Sequence, residues 1–255
     1  MILIQNERIE SIPVLHLVNQ EQQTEKLPLV FFIHGFTSAK ENNLHYAYLL
    51  AEKGFRVLLP EALYHGEREL VLKEQDLYIR FWEIVLTTIN DLNVLKDHYV
   101  SQNLIDEDRI GVAGTSMGGI ATLGALTQYK WIKAAVSLMG MPAYEEFSRF
   151  QLEQIRNHGH RIPFSEEEID RQLSMLRVYD LSIQPEKLEG LPLLFWHGKK
   201  DDFVPYSFAY EFYQNIAGDY NGHPEKLKFI TDERAGHKVS QKGVKATIDW
   251  FSKFL

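Results

Sequence analysis

One pentapeptide, Gly114-Thr115-Ser116-Met117-Gly118, constrains this chain more than any other stretch of its sequence. Residues 109–113 before it are typical of a short buried strand, and residues 120–126 after it are typical of a well-packed helix. Between a strand and a helix, the pattern G-x-S-x-G puts its serine on a sharp, strained turn that the two glycines allow. Ser116 would then project beside a helix N-terminus, which favours developing negative charge. The sequence therefore predicts Ser116 as a nucleophile.

The composition excludes several classes of protein without naming a reaction. The chain has 255 residues, 45% of them hydrophobic and 24% charged, which suits a globular protein with a substantial core. A net charge of −8 argues against nucleic acids and anionic membranes as partners. The chain has no cysteine, which excludes disulfides, thiolate metal sites and a cysteine nucleophile. No apolar run approaches the ~20 residues of a membrane span, and the early polar residues are unlike a signal peptide, so we expect a cytoplasmic protein.

Predicted strands and helices alternate along most of the chain. Strands are predicted at residues 9–18, 27–33, 55–60, 109–113, 132–139, 191–196 and 227–231, and helices at 41–53, 74–100, 120–126, 166–177, from about 205, and 239–254. The first few residues are expected to pair with 9–18 in an antiparallel edge. Alternation of this kind predicts a mostly parallel sheet with helices on both faces, with its active site at the carboxyl ends of the strands.

A serine nucleophile needs a base and a carboxylate, and both follow Ser116 in the chain. The strand at 191–196 leads into His197-Gly198-Lys199-Lys200-Asp201-Asp202, and the strand at 227–231 leads to His237. An acid and then a histidine, each just past a strand end, is the order in which a Ser–His–acid triad occurs on sheets of this type. The residues alone leave Asp201 and Asp202 as alternatives for the acid.

Taken together, these motifs resemble the α/β-hydrolase superfamily, in its dienelactone-hydrolase and prolyl-oligopeptidase-like branch of small serine esterases. The motifs that carry the resemblance are His34-Gly35-Phe36, Gly114-Thr115-Ser116-Met117-Gly118-Gly119, His197-Gly198-x-x-Asp201-x-x-Val204-Pro205 and Gly236-His237. The resemblance implies an α/β-hydrolase fold with a mostly parallel central sheet of about eight strands, in a single domain over residues 1–255. Residues 143–189, where the alternation stops, are expected to form a small helical cap.

The resemblance also implies roles for particular residues. It favours Asp201 over Asp202 as the acid that orients His237, because Asp201 occupies the acidic position of the H-G-x-x-D pattern. It implies the backbone N–H groups of Phe36 and Met117 as the oxyanion hole. Residues expected to line the substrate pocket are His34, His65 and Met141. A structural hydrogen-bonding role for His34 and a purely structural loop at His65 are the stronger alternatives for those two residues.

The function we expect from these residues is hydrolysis of carboxylic esters, most readily short-chain acyl esters, through an acyl-enzyme. The partner is then a small-molecule ester, and no cofactor or metal is expected. His158-Gly159-His160 could suggest a metal site, but two histidines without further clustered ligands rarely form one. Three alternatives stay open: a peptidase, a thioesterase or lactone hydrolase with the same triad, and a non-catalytic binding protein on this fold. The sequence does not indicate an oligomeric state.

Overall fold

The computed structural model describes residues 1–70, 74–157 and 162–255. Eight strands in it form one sheet, in the spatial order β1-β2-β4-β3-β5-β6-β7-β8. They are β1 (Ile2–Ile9), β2 (Ile12–Asn19), β3 (Leu27–Ile33), β4 (Arg56–Pro60), β5 (Ile105–Thr115), β6 (Ala134–Leu138), β7 (Leu193–Gly198) and β8 (Leu227–Asp232). The pairs β1–β2 and β2–β4 are antiparallel, and every other neighbouring pair is parallel. The predicted mostly parallel sheet of about eight strands is confirmed.

Helices cover both faces of this sheet. They are α1 (Leu44–Glu52), α2 (Glu74–Ile79), α3 (Phe81–Ser101), α4 (Met117–Gln128), α5 (Tyr144–Asn157), α6 (Glu166–Leu176), α7 (Tyr206–Ile216) and α8 (Gln241–Phe254). Side chains along β3 point alternately to the two faces of the sheet. Phe31 packs in the core cluster with α3 and α4, and Phe32 packs in the cluster with α1 and α8 on the other face. Every residue of β3 is buried, as expected for a parallel strand covered on both sides. Within the described ranges, no helix is long and apolar enough to span a bilayer.

Two of the predicted elements run across a break in the structure. The helix predicted over 74–100 is broken at Arg80, which adopts φ −87° and ψ 7°, so that α3 begins at Phe81 with that ring turned into the core. The apolar period continues across this break, which is why the sequence does not show it. The strand predicted over 9–18 also starts too early, because Ile9 ends β1 and Glu10, at φ 53°, forms the turn to β2.

Between β6 and β7, an insertion at residues 143–189 contains helices α5 and α6 and short 3₁₀ turns in its described parts, 143–157 and 162–189. Tyr144 anchors its start, since its hydroxyl donates to the backbone oxygen of Ile120 in α4 at 2.7 Å. Ser165 and Glu168 form a capping box at the start of α6. That this insertion acts as a cap over the site stays a prediction.

The carboxyl ends of the parallel strands gather the residues predicted for the site. Phe36 follows β3, Ser116 follows β5, Asp201 follows β7 and His237 follows β8. Parallel strands end on the same edge of a sheet, so residues separated by up to 201 positions in the chain are brought to one place.

Candidate active site

Ser116 lies on a strained turn between β5 and α4. Its backbone adopts φ 54° and ψ −117°, a combination that residues with a side chain rarely show. Two backbone hydrogen bonds hold it there: the N–H of Ser116 donates to Leu138 at the end of β6 at 2.8 Å, and its carbonyl accepts from Ile120 at 2.9 Å. The strain is therefore maintained by the neighbouring strand on one side and by the new helix on the other.

The glycines around Ser116 are required because backbones touch there. A Cβ on Gly118 would lie 2.1 Å from the backbone oxygen of Ile33 in β3, and one on Gly114 would lie 2.3 Å from the backbone carbon of Gly118. Neither neighbour is a side chain that could rotate away. The glycine pattern thus reflects close packing of the turn against β3 in addition to the tightness of the bend.

His237 links Ser116 to Asp201. Its Nε2 lies 2.8 Å from Ser116 Oγ, and its Nδ1 lies 2.9 Å and 2.8 Å from Oδ1 and Oδ2 of Asp201. Because a carboxylate only accepts hydrogen bonds, Nδ1 carries the hydrogen and Nε2 is left to accept from the hydroxyl of Ser116. Asp202, the alternative acid, is exposed to solvent instead.

Packing between two loops brings Asp201 and His237 together. The N–H of Lys199 donates to Asp232 at 2.8 Å, and that of Lys200 donates to Ala235 at 3.0 Å. Gly198 permits this approach, since a Cβ there would lie 2.4 Å from the backbone oxygen of Gly236. The loop before His237 is therefore held directly against the end of β7.

Burial and hydrogen bonds act in opposite directions on Asp201. Burial alone would raise the pKa of this carboxyl, but hydrogen bonds from His197, His237 and the backbone N–H of Val204 lower it well below its usual range. The group is therefore ionised at neutral pH although its side chain is inaccessible to solvent. The ionised carboxylate contacts Nδ1 of His237 through both of its oxygens and so fixes the orientation of that ring.

Two backbone N–H groups lie in segments beside Ser116. Among the described residues, neither Phe36 nor Met117 donates its backbone N–H to another protein group. Met117 starts α4, and a Cβ on Gly35 would lie 3.5 Å from Cβ of Ser116, so both donors belong to segments adjacent to the serine. Free N–H groups beside a serine are suited to donate hydrogen bonds to the negatively charged oxygen that forms when the serine attacks a carbonyl.

The sequence model of the prolyl oligopeptidase family matches residues 83–255, which is more than half of the chain. The chain belongs to the prolyl oligopeptidase family. The matched residues include Ser116, Asp201 and His237, whereas Phe36 lies before them. Members of this family are serine hydrolases of the α/β-hydrolase fold, so the predicted fold and the predicted enzyme class are both confirmed.

Full-length relatives of this family member are named as esterases. The chain is 54% identical to "Putative esterase YitV" of Bacillus subtilis (strain 168) and 28% identical to "Esterase YjfP" of Escherichia coli (strain K12), and each match covers 100% of both chains. The crystal structure of TT1662 from Thermus thermophilus superimposes with a TM-score of 0.78 at 18% identity, over 100% of this chain and 98% of the other. At that identity the last comparison shows the shared fold alone.

The three residues predicted to line the pocket are buried. His34 and Met141 are 0% exposed and His65 is 4% exposed. Each ring nitrogen of both histidines faces a protein group within hydrogen-bonding distance. None of the three presents its side chain to solvent in this structure, and their place in a substrate pocket stays a prediction.

Sequence reasoning missed a buried charge cluster between residues 34–40, which follow β3, and the loop that follows β4. Glu61 and Lys40 are 0% and 1% exposed, and Lys40 Nζ donates to Glu61 Oε2 at 3.2 Å and to Glu67 Oε1 at 2.6 Å. Burial alone would raise the pKa of Glu61, but His34 and Lys40 lower it to about 2. Burial likewise opposes the charge on Lys40, and its carboxylate neighbours raise its pKa. The only signal in the sequence is that Glu61 directly follows a buried strand.

A metal centre has no support among the described residues. They contain no group of three or more His, Asp or Glu side chains arranged to hold a metal ion. His158 and His160 lie outside the described residues.

Proposed function

We propose that this serine hydrolase cleaves carboxylic esters, most readily those of short acyl chains, through an acyl-enzyme on Ser116. The observation that carries the proposal is the position of His237, whose two ring nitrogens contact Ser116 Oγ and the carboxylate of Asp201. A hydrogen-bonded chain of serine, histidine and ionised aspartate is the arrangement that activates a serine hydroxyl. The esterase names of two full-length relatives favour an ester as the substrate.

The first half of the reaction forms the acyl-enzyme. Ser116 Oγ attacks the ester carbonyl carbon while His237 Nε2 accepts the hydroxyl proton, and the carbonyl electrons move onto the oxygen. The N–H groups of Phe36 and Met117 hold this oxyanion. When the tetrahedral intermediate collapses, the carbon–oxygen bond to the alcohol breaks and His237 returns the proton to the departing alkoxide. Asp201 stays ionised and stabilises the ring of His237 while that ring carries the proton.

The second half returns the enzyme to its starting state. A water molecule gives a proton to His237 Nε2 as its oxygen attacks the acyl carbon, and the same two N–H groups hold the second oxyanion. The bond from the acyl carbon to Ser116 Oγ then breaks, Oγ takes the proton from His237, and the carboxylic acid leaves. Every proton taken in one step is returned in the next, so no further reactant is needed.

Aromatic rings from the insertion and the core support an apolar acyl site beside Phe36. The ring centroids of Phe36 and Phe81 lie 5.6 Å apart, and those of Phe81 and Phe147 of α5 lie 6.4 Å apart. Phe147 also packs against Phe208 of α7, with their centroids 5.8 Å apart. Phe81 and Phe147 are buried. An apolar wall of aromatic rings suits a small acyl group, and Phe147 brings α5 into that wall, so we propose short acyl groups and a cap role for residues 143–189.

The test is hydrolysis of p-nitrophenyl esters from acetyl to palmitoyl by the wild type and by Ser116→Ala. We expect activity on the short esters that Ser116→Ala loses by about 10⁴-fold or more, since the nucleophile is gone. Ser207→Ala, at an exposed serine of α7, is the matched control and should behave as the wild type. Substantial activity in Ser116→Ala would overturn the proposal, and a preference for palmitoyl would overturn the short acyl site.

A peptidase is the second candidate, because the family is named for prolyl oligopeptidase. Peptide p-nitroanilides with proline before the cleaved bond, tested beside the esters, separate the two: we expect the esters to be cleaved far faster. A thioesterase or lactone hydrolase would use the same residues, and acyl thioesters and lactones in the same assay rank those substrates.

Two further predictions from the sequence go with this proposal. We expect a cytoplasmic location, which cell fractionation tests, and a small-molecule substrate in place of a nucleic acid, in line with the net charge of −8.

A further inference from the structure

Two histidines hold the two peptide groups that flank Phe36. Nδ1–H of His34 donates to the backbone oxygen of Gly35 at 2.8 Å, on the N-terminal side of Phe36. On its C-terminal side, the backbone N–H of Thr37 donates to Nε2 of His65 at 2.9 Å. Each peptide next to Phe36 is thus hydrogen-bonded to a buried imidazole.

The planarity of the peptide bond gives the first of these contacts a direct consequence. The carbonyl of Gly35 and the N–H of Phe36 belong to one planar trans peptide, so a hydrogen bond that fixes the carbonyl also fixes the direction of the N–H. We propose that His34 and His65 are positioning residues of the oxyanion hole, which orient the Phe36 N–H toward the developing negative charge. This inference rests on the proposed function, in which that N–H is an oxyanion donor.

Both rings are anchored on the same loop, which follows β4. Nε2 of His34 lies 3.0 Å from the backbone nitrogen of Ala62 and 3.1 Å from Oε1 of Glu61. This nitrogen accepts from the N–H of Ala62, while Nδ1–H of the same ring donates to Gly35. Nδ1–H of His65 donates to the carbonyl of Leu63 at 2.8 Å. The two rings also pack edge to face, with centroids 5.2 Å apart.

The buried charge cluster connects Lys40, at the C-terminal end of residues 34–40, to this loop. Glu61 Oε1 accepts from the backbone N–H of Lys40 at 3.1 Å, and Glu61 Oε2 accepts from Lys40 Nζ at 3.2 Å. Lys40 lies three residues after Thr37. The segment from His34 to Lys40 is therefore attached to the loop near both of its ends.

The backbone of Thr37 indicates that this attachment carries strain. Thr37 has φ 59°, and a β-branched residue in that left-handed region is an outlier. Such a conformation persists only where its surroundings hold it, and the hydrogen bond to His65 is made by the N–H of this same residue. Burial lowers the pKa of His65, which keeps its Nε2 free to accept that bond.

The experiment replaces each imidazole with a phenyl ring, which is aromatic but has no nitrogen. His34→Phe and His65→Phe are compared with the wild type for kcat and KM on p-nitrophenyl acetate and for the inhibition constant of a trifluoromethyl ketone, which forms a tetrahedral oxyanion on the serine. We expect kcat to fall by about 10- to 100-fold with KM within about threefold, as for a displaced donor. The ketone should bind more weakly by a similar factor.

His16→Phe is the matched control. His16 is also buried, its ring nitrogens contact Glu7 and Arg56, and it lies on β2 away from the site. It should lower the melting temperature while leaving kcat and the ketone affinity unchanged. His34→Asn and His65→Gln place an amide near the lost nitrogen, and we expect each to recover part of both quantities.

The outcomes separate the inference from the proposed function. If His34→Phe and His65→Phe keep the wild-type kcat and ketone affinity while Ser116→Ala is inactive, the positioning role is overturned and the proposed function stands. If Ser116→Ala stays active, the proposed function itself fails. Where a phenylalanine variant does not fold, the amide variants decide: kcat and ketone affinity falling together support the inference, and kcat falling alone overturns it.

Discussion

Oδ2 of Asp201 lies 3.4 Å from Nε2 of His197, so this carboxylate contacts a second histidine besides His237. His197 is buried in β7, and its Nε2 also lies 2.9 Å from the carbonyl of Val204, to which it donates. The N–H of Val204 in turn donates to Oδ1 of Asp201 at 2.9 Å. The end of β7 and the loop that carries Asp201 therefore contact each other and fix the carboxylate opposite His237.

Replacing His197 should weaken catalysis without abolishing it. We expect His197→Phe to lower kcat by about 10-fold, because Asp201 keeps its bonds to His237 and Val204 but loses one support for its position. Steady-state kinetics and thermal unfolding of the purified variant provide the measurement. His223→Phe, at an exposed histidine, is the control. An unchanged kcat for His197→Phe would show that the contact between His197 and Asp201 does not contribute to catalysis.

The neighbouring aspartates offer a sharp comparison. Asp201→Asn should reduce kcat by roughly 10⁴-fold, because an amide no longer holds His237 in the tautomer that accepts from Ser116. Asp202→Asn should remain within about twofold of the wild type, as its side chain is exposed and surface changes are usually mild. Both are measured on p-nitrophenyl acetate. The reverse order of effects would assign the acid to Asp202.

A methyl group at Gly118 should disrupt both stability and activity. We expect Gly118→Ala to cost roughly 3 kcal/mol or more of unfolding free energy, since its Cβ would meet the backbone of Ile33 and overpacking of this kind forces backbone shifts. Gly222→Ala is the matched control, because a Cβ there meets no atom within 4 Å. Urea unfolding of both variants measures the difference. Equal midpoints for the two would contradict the close packing of β3 on the turn.

Glu61 should contribute stability that disappears in acid. Its folded pKa, about 2, lies below its ordinary value of 4.5, so the unfolded chain binds the proton more readily. The contribution is complete above pH 4.5 and is lost as the pH falls through about 2. Wild type and Glu61→Gln should therefore differ by roughly 3 kcal/mol in unfolding free energy from pH 5 to 8, and by less below pH 4.5.

The control for this pH series is Glu167→Gln, at an exposed glutamate of α6, which should track the wild type throughout. Denaturant unfolding from pH 8 down to 2.5 gives both curves. If the difference in unfolding free energy between wild type and Glu61→Gln stayed constant down to pH 2.5, the neighbours of Glu61 would not lower its pKa.

Much of the site could be anticipated because its motifs stand at strand ends. The turn at Ser116, the acid loop after β7 and the histidine after β8 each have a local pattern in the chain, and a parallel sheet brings strand ends to one edge. The break at Arg80 was missed for the opposite reason. Its apolar residues keep a helical period across a single non-helical residue, so no local pattern marks it.

The sequence by itself determined the order of strands and helices, the family, and the residue types of the site, because these depend on local periodicity and on motifs short enough to recognise. Only the tertiary structure decided that Asp201, and not Asp202, contacts His237, and that His34 and His65 are buried against the peptides beside Phe36. Those choices depend on which way a side chain points and on what lies against it. Contacts between residues 28 or 36 positions apart fix both, and no local pattern encodes them.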